Sequence, residues 1–252
     1  MLAIERRTGI LAELQLEKSV LVSDLSKKYN VTEETIRRDL EKLAKDGLAK
    51  KTYGGAVLVE NISAEVSYKI RAKTNKEQKT EIARKISELI EPGENIMLDA
   101  SSTCVLIAKK LKDKKKLTII TNSVEILLEY ADSKNANVIS TGGALRESSL
   151  SLVGHDAERL IERFTVDKAI ISCKGLDLEK GITESNVAEM EIKKAMAGNA
   201  KQVVLAVDSS KFNKLSFIKL LELQKIDMIV TDTMPPPEWV EILKKNNIEL
   251  LK

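Results

Sequence analysis

Three amphipathic helical segments followed by a Gly-Gly hairpin, and beyond them a regular alternation of helices with short β-branched strands, predict an α/β fold in two parts. The first part reads as a winged helix-turn-helix, the second as a mostly parallel α/β domain covered by helices on both faces. Length agrees, because 252 residues exceed one small module and suit about 60 residues plus about 170. The expected division is a winged helix-turn-helix over 1–59, a linker over 60–75 and a ligand-binding domain over 76–252.

Apolar spacing predicts a helix over Ala3–Leu16 and a second over Leu21–Tyr29, separated from a third by a short turn through Asn30 and Val31. The third lies within VTEETIRRDLEKLAKDG, Val31 to Gly47. Thr32 is a good N-cap, Glu33 and Glu34 suit the positive end of the helix dipole, and Gly47 supplies the stop. Helical spacing puts Ile36, Leu40 and Leu43 on one buried stripe. Thr35 and Arg38 share another face one turn apart with Arg37 beside them, which suits two base-edge contacts flanked by a phosphate contact on double-stranded DNA. Downstream, Leu48–Val59 is a hairpin candidate with Lys50, Lys51 and Tyr53 ahead of a Gly54-Gly55 turn, as a wing touching the DNA backbone requires. Thr32, Thr35, Arg37, Arg38, Lys50, Lys51 and Tyr53 are thus the candidate DNA-facing set. Taken alone, the third helix also fits an ordinary amphipathic helix with a solvated charged face; three helices with a Lys-Lys hairpin favour DNA. Acids nearly match bases in this region, and the whole chain carries a net charge of +3, so the signal is placement rather than charge.

Between Glu60 and Lys76, NISAEVSYKIRAKTN lacks a strong period and predicts a linker with some β character. Its Lys69, Arg71 and Lys73 either add phosphate contacts or are simply solvated. The two cysteines, Cys104 and Cys173, lie in apolar surroundings without CxxC or metal-ligand spacing, which predicts buried reduced thiols and no metal or other cofactor. Met1 leads straight into a charged helix, and no apolar run approaches the ~20 residues of a membrane span. A cytoplasmic protein with no membrane partner is expected.

From Lys76 the pattern alternates. Helices are expected over Glu77–Ile90, Ser102–Leu111, Val124–Ala131, Asp156–Phe164, Ala188–Ala197 and Glu238–Asn246. Strands are expected at Ile96–Leu98, Leu117–Ile120, Val138–Ser140, Ala169–Ser172, Val203–Val207 and Met228–Val230. In such sheets ligands bind beyond the carboxyl ends of the strands, and here those ends are polar or glycine. Asp99, Ser101, Ser102 and Thr103 follow the first strand, Thr121 and Asn122 the second, and Gly142, Gly143 and Arg146 the third. Lys174 and then Glu184, Ser185 and Asn186 follow the fourth, and Asp208 and Lys211 the fifth. Hydroxyls at a helix N-terminus bind phosphate, cations neutralise it, and aspartate or asparagine grips sugar hydroxyls, so the set points to a small phosphorylated polyol or sugar. Piece by piece the same residues read as a helix cap, a turn and a solvated lysine; jointly they favour a site. Neither GxxxxGK[ST] nor GxGxxG occurs, which argues against a nucleotide, and His155 at a helix start has no evident catalytic partner.

VTEETIRRDLEKLAKDG followed by KKTYGGA resembles the DNA-binding signature of the DeoR family of bacterial transcription regulators. DASST, TN, GGALR and DSSKF resemble that family's sensor domain in the same order, so the resemblance spans nearly the whole chain. It implies a repressor of a sugar-catabolism operon whose C-terminal domain resembles ribose-5-phosphate isomerase and binds a phosphorylated sugar as effector. A homo-oligomer, dimer or tetramer, is expected besides, because paired half-sites call for paired readers. Carried over by position, Thr35, Arg37 and Arg38 would contact operator DNA, while Asp99, Ser101, Ser102, Thr103, Asn122, Arg146, Lys174 and Lys211 would line the effector site. Two departures stand out: Tyr53 replaces a histidine common before the wing glycines, and SCKGLD, Ser172 to Asp177, replaces a GADG-type loop. The latter, with DASSTC and ESN, is similar to the subgroup regulating fucose or rhamnose use, which implies a deoxyketose 1-phosphate and leaves an activator as the alternative to a repressor. The enzyme alternative, a sugar-phosphate isomerase, needs a carboxylate base such as Asp99, but Lys174 stands where the isomerases carry acids, so no catalytic residue is assigned.

Overall fold

The apolar stripes of the first three helices close on one another. In the computed structural model Ile10, Leu11, Leu14, Val22, Leu25, Ile36, Leu40 and Leu43 are buried in one cluster. The structure describes residues 2–58 and 66–252, which form two units, Met1–Thr74 and Asn75–Lys252. The first unit contains α1 (Ala3–Glu17), β1 (Ser19–Leu21), α2 (Val22–Tyr29), α3 (Glu33–Lys45), β2 (Ala49–Thr52), β3 (Gly55–Leu58) and a short α4 (Tyr68–Arg71).

Each junction has a local cause. Asn30, at φ 50°, ends α2, and Thr35 N–H donates to the Thr32 hydroxyl at 3.3 Å to cap α3. Gly47, at φ 71°, lets Leu48 N–H return to the Leu43 carbonyl at 2.9 Å, which stops α3 and releases the chain into β2. Three details differ from the sequence reading. Leu21 is not the start of the second helix, because it pairs with Gly55 in β1, a strand the sequence did not reveal. The hairpin turns at Tyr53 and Gly54 rather than at the two glycines, since Thr52 already pairs with Gly55. A Cβ on Gly55 would lie 2.0 Å from the Val20 carbonyl oxygen, so this glycine serves the close approach of β1 to β3. Of the expected linker with β character, 60–65 lie outside the described residues, as does the expected hairpin end at Val59; from Tyr68 to Arg71 the chain is helical. Tyr68 is buried there, and Val66 and Ile70, four residues apart, pack on the winged-helix core.

The second unit runs α5 (Lys76–Leu89), β4 (Asn95–Leu98), α6 (Ser102–Lys110), β5 (Leu117–Thr121), α7 (Val124–Glu129), β6 (Ala136–Ser140), β7 (Ala144–Arg146), β8 (Ser151–Val153), α8 (His155–Ile161), β9 (Val166–Ile171), β10 (Gly175–Asp177), β11 (Gly181–Glu184), α9 (Val187–Gly198), β12 (Ala200–Ala206), β13 (Ile218–Leu221), β14 (Met228–Val230), α10 (Pro237–Lys245) and β15 (Glu249–Leu251). Seven strands form a sheet ordered β15-β14-β12-β9-β4-β5-β6, and every neighbouring pair is parallel. Met97, Ile120, Ala169, Ile171, Val203, Leu205 and Ile229 share one core cluster with Ala157 and Ile161 of α8, Ile192 and Met196 of α9 and Trp239 of α10. The alternate residues, among them Ile96, Leu98, Ile119 and Val204, are equally buried, so both faces are covered. A three-stranded antiparallel sheet, β10-β11-β13, and a two-stranded ribbon, β7-β8, are appended.

The chain order fixes where a ligand fits. From β4 it proceeds outward through β5 and β6, then returns to the other side of β4 for β9, β12, β14 and β15. The direction reverses between β4 and β9, and the crevice beyond their carboxyl ends is the topological switch point.

Candidate functional site

In the first unit the buried stripe of α3, Ile36, Leu40 and Leu43, leaves Arg37 and Arg38 exposed. Arg37 Nη2 donates to Glu33 Oε2 at 2.5 Å and Arg38 Nε to Glu34 Oε1 at 3.2 Å. Such exposed i,i+4 pairs contribute roughly 0.3–0.5 kcal/mol and yield readily to a phosphate or a base edge. The hydroxyls of Thr32 and Thr35 lie 2.9 Å apart at the start of the same helix. On the wing, Lys50 is exposed, Lys51 Nζ donates to Glu41 Oε1 at 3.2 Å, and Tyr53 stands free in solvent at the tip. All seven sequence-predicted residues therefore lie on one helix or its adjoining hairpin. The residue the sequence did not single out is Asp39, on the buried side of α3: Arg6 Nε donates to its Oδ2 at 2.5 Å and Arg7 Nη1 to its Oδ1 at 3.4 Å. This pair fixes α3 on α1.

In the second unit the switch-point crevice is organised by Asp99, which is fully buried. Its Oδ1 accepts from Ser101 N–H and its Oδ2 from Ser172 N–H, each at 2.9 Å, tying the end of β4 to the end of β9. The Ser101 hydroxyl accepts from Cys104 N–H at 3.1 Å, so Ser101 caps α6, and Ser102 and Thr103 occupy the first helical turn. At the end of β5, Thr121 Oγ1 donates to the Leu98 carbonyl at 2.7 Å and accepts from Ser123 N–H at 3.1 Å. Beside it Asn122 Nδ2 donates to the Leu152 carbonyl at 3.2 Å, while its buried Oδ1 accepts no hydrogen bond among the described residues.

Lys193 of α9 lies at the centre of this site, and the sequence reading missed it. Its Nζ donates to the Ser172 carbonyl at 2.9 Å and to Glu184 Oε2, and lies 3.5 Å from Asp99 Oδ2. Burial alone would raise the Glu184 carboxyl, but the charges of Lys193 and Lys174 outweigh it and hold it down at about 2. Burial likewise opposes the charged form of Lys193, and Glu184, Asp99 and Glu189 reverse that and lift its ammonium above the usual lysine range. Glu189, also unforeseen, accepts from the Ser149 and Ser151 hydroxyls, and Arg146 Nη1 donates to Ser149 Oγ at 3.1 Å, so the ribbon arginine connects to the same network. Glu189, Ile192, Lys193 and Met196 fall on one helical stripe; two charges four residues apart on an otherwise apolar face were the available signal.

The Asp208 loop joins from β12. Burial would raise the Asp208 carboxyl, but the Lys211 charge, a Ser210 hydrogen bond and the Lys79 charge lower it below the usual range. Lys79 of α5 is 6% exposed and was not predicted. Burial pushes the Cys173 thiol up to about 12, with the Glu184 charge adding to it and those of Lys193 and Lys211 opposing. Both cysteines are free and buried, as expected. Ser185 N–H donates to Glu184 Oε1 at 2.8 Å, and Asn186 caps α9 through Glu189 N–H at 3.3 Å. Gly142 and Gly143, at φ 63° and 102°, turn the chain from β6 into the ribbon; a Cβ on Gly143 would sit 2.6 Å from the Val153 carbonyl oxygen. Among the described residues no His, Cys, Asp and Glu group is arranged to hold a metal ion, and no helix is long and apolar enough to cross a membrane.

Comparison with known proteins bears on both units. The model of the DeoR-like helix-turn-helix domain matches residues 6–61, and that of the DeoR C-terminal sensor domain matches residues 74–233. The HTH-type transcriptional regulator YulB of Bacillus subtilis (strain 168) is 39% identical over 250 residues, covering 99% of this chain and 96% of that protein. A putative aga operon transcriptional repressor of Escherichia coli O157:H7 is 33% identical, covering 98% and 93%, and the glycerol-3-phosphate regulon repressor of Escherichia coli (strain K12) is 29% identical, covering 98% and 97%. A solved ribose 5-phosphate isomerase A from Methanocaldococcus jannaschii superposes with a TM-score of 0.42 at 18% identity, over 56% of this chain and 57% of that one. The matched family models and the relatives that match end to end are those of regulators rather than enzymes.

Proposed function

The chain belongs to the DeoR family of DNA-binding transcriptional regulators, and on that premise we propose that it represses a carbohydrate-catabolism operon under the control of a phosphorylated sugar bound at the β4–β9 switch point. The observation that carries the ligand reading is Asn122 Oδ1, a buried acceptor at the end of β5 that accepts nothing from the described residues. A buried carbonyl oxygen without a donor costs roughly 1–3 kcal/mol, and a sugar hydroxyl is a donor that would relieve it. The phosphate belongs at the other end of the crevice, at the first turn of α6, where Ser101, Ser102 and Thr103 lie, with Lys211, Lys174 and Arg146 supplying positive charge. Asp99 and Thr121 have their oxygens committed within the protein and act by holding these loops. Gly142, Gly143, Ser185, Asn186 and Asp208 shape the rim.

On operator DNA, Thr35 and Arg38 would read base edges while Thr32, Arg37, Lys50, Lys51 and Tyr53 hold the backbone. A dimer or tetramer presents paired readers to half-sites a helical turn or a multiple apart. Effector binding then shifts the oligomer between two spacings, and a coupling of about 1–3 kcal/mol changes operator affinity by roughly 5–150-fold. The names of the relatives, an aga operon repressor and a glycerol-3-phosphate regulon repressor, support repression and a phosphorylated carbohydrate.

The test is thermal unfolding of the chain against fuculose 1-phosphate, rhamnulose 1-phosphate, fructose 1-phosphate and glycerol 3-phosphate, with the free sugars as controls. A ligand at 100 times its dissociation constant stabilises by roughly 2.7 kcal/mol. Stabilisation by one phosphate and not by its free sugar is expected. Equal stabilisation by the free sugar would remove the phosphate from the reading, and no shift with any compound would send the search to another ligand class.

A further inference from the structure

Asn75 is the first residue of the second unit and stands at the N-cap of α5, yet its side chain makes no capping bond to that helix. An N-cap asparagine ordinarily accepts from the backbone of its own first turn. Here Nδ2 instead donates to Asp208 Oδ1 at 3.0 Å and to Ser210 Oγ at 3.1 Å, across 133 and 135 residues of sequence. The backbone of Asn75 is held left-handed, at φ 51° and ψ 40°, a conformation asparagine tolerates better than other side-chain-bearing residues. The Asp208 carboxylate it grips also accepts from Ser210 N–H at 3.2 Å, and Lys211 N–H closes the same turn on the Asp208 carbonyl at 3.0 Å. One amide thus fastens the residue at which the chain enters the sensor unit to the loop that presents Lys211.

We propose that Asn75 is a positioning residue that makes the Asp208–Lys211 loop and the first turn of α5 respond as one piece, so that capture of a phosphoryl group by that loop is felt where the DNA-reading unit joins the chain. This rests on the reading of the Asp208–Lys211 loop as part of the ligand site. Nothing local in the sequence hints at it, because the two partners lie 133 residues apart.

Hydrogen–deuterium exchange of the full chain tests it, with inorganic phosphate as the probe. Asn75→Gly keeps the left-handed backbone and removes the amide; Asn75→Asp keeps the shape and sets a second carboxylate against Asp208. Without phosphate, both variants should exchange several-fold faster, roughly threefold or more, at residues 209–211 as well as at residues 79–82. Unchanged exchange at 209–211 would overturn the latch. With phosphate, the wild-type chain should slow at 101–104, 209–211 and 79–82, and Asn75→Gly at the first two alone. A response at 79–82 that persists in Asn75→Gly would show that the signal bypasses Asn75 and would sink the proposal. Should phosphate protect neither 101–104 nor 209–211 in the wild type, the ligand-site reading falls, while the phosphate-free comparison still decides the latch.

Discussion

Lys193 is surrounded by acid. Asp99 and Glu184 lie within 3.5 Å of its ammonium or closer, Glu189 acts on it from the preceding turn, and it is 6% exposed. Removing one partner of such a group leaves the others charged and buried, at a cost of about 3–5 kcal/mol. Lys193→Met should therefore destabilise the second unit by that order in urea unfolding, although methionine fills the space. The pH dependence has a defined sign. Glu184 is held at about 2, below its unfolded value of about 4.3, so its contribution is present above pH ~4.3 and is lost as the pH falls toward 2. Lys193 is raised, so its contribution is complete below its unfolded value of about 10.4 and is lost only as the pH climbs through its folded value. The stability difference between wild type and Lys193→Met should accordingly narrow as the pH falls from ~4.3 toward 2, the range over which Glu184 takes up its proton and ceases to need the cation. A difference that stays constant down to pH 3 would show that the lysine acts by packing alone. Asp99, Asn122 and Asp208 stand out as candidates because they follow strands; Lys193 and Glu189 do not, because they lie within α9, Glu189 in its first turn and Lys193 one turn on.

α3 depends on what lies behind it as much as on what it presents. Asp39 holds both Arg6 and Arg7 of α1 while Arg37 and Arg38 face outward on the same helix. Asp39→Ala leaves Arg6 buried without its carboxylate, and a loss of about 3–5 kcal/mol from the first unit is expected, with DNA binding falling in step although Asp39 faces away from DNA. Arg38→Ala should keep the stability of that unit within roughly 0.5 kcal/mol and lose specific operator binding while ligand binding is unchanged. Lys211→Ala should do the reverse. Fluorescence anisotropy on operator DNA beside urea unfolding separates these cases; if Arg38→Ala weakened binding to every sequence equally, it would be a backbone contact rather than a reader. Long elements were the ones readable in advance. α3, α5 and α9 each span several turns, and their stripes are visible. Strands β1, β7, β8, β10 and β15 have three residues apiece, too few for alternation to show, and β1 depends besides on a partner far along the chain, Leu21 pairing with Gly55. The small β10-β11-β13 sheet escaped because its strands are three or four residues long and β13 meets β11 from far along the chain.

The chain as a whole carries a net charge of only +3, with 41 basic and 38 acidic side chains, so it has no general attraction for a polyanion. On the proposed reading, affinity for DNA comes from the few cations placed on α3 and the wing, and several of these are already paired: Arg37 with Glu33, Arg38 with Glu34 and Lys51 with Glu41. Binding to phosphate exchanges these surface pairs for stronger ones, and each phosphate neutralised contributes about 0.9 to the slope of log affinity against log salt. Changing Lys50 and Lys51 together to alanine should therefore weaken operator and random duplex alike and reduce the salt slope by roughly 2, whereas Arg38→Ala should narrow the gap between operator and random duplex. The measurement is a salt titration of both duplexes with the three proteins. A slope that does not change on removing the lysines would mean that the wing does not touch the backbone, and the DNA-facing surface would then be confined to α3. Because the sensor unit contributes none of these cations, the phosphorylated sugar proposed for it should shift the affinity at every salt concentration while leaving the slope of the bound state unaltered. A ligand that changed the slope itself would be competing for the DNA-binding cations directly, and the effector would then act by occupying the reader instead of by moving it.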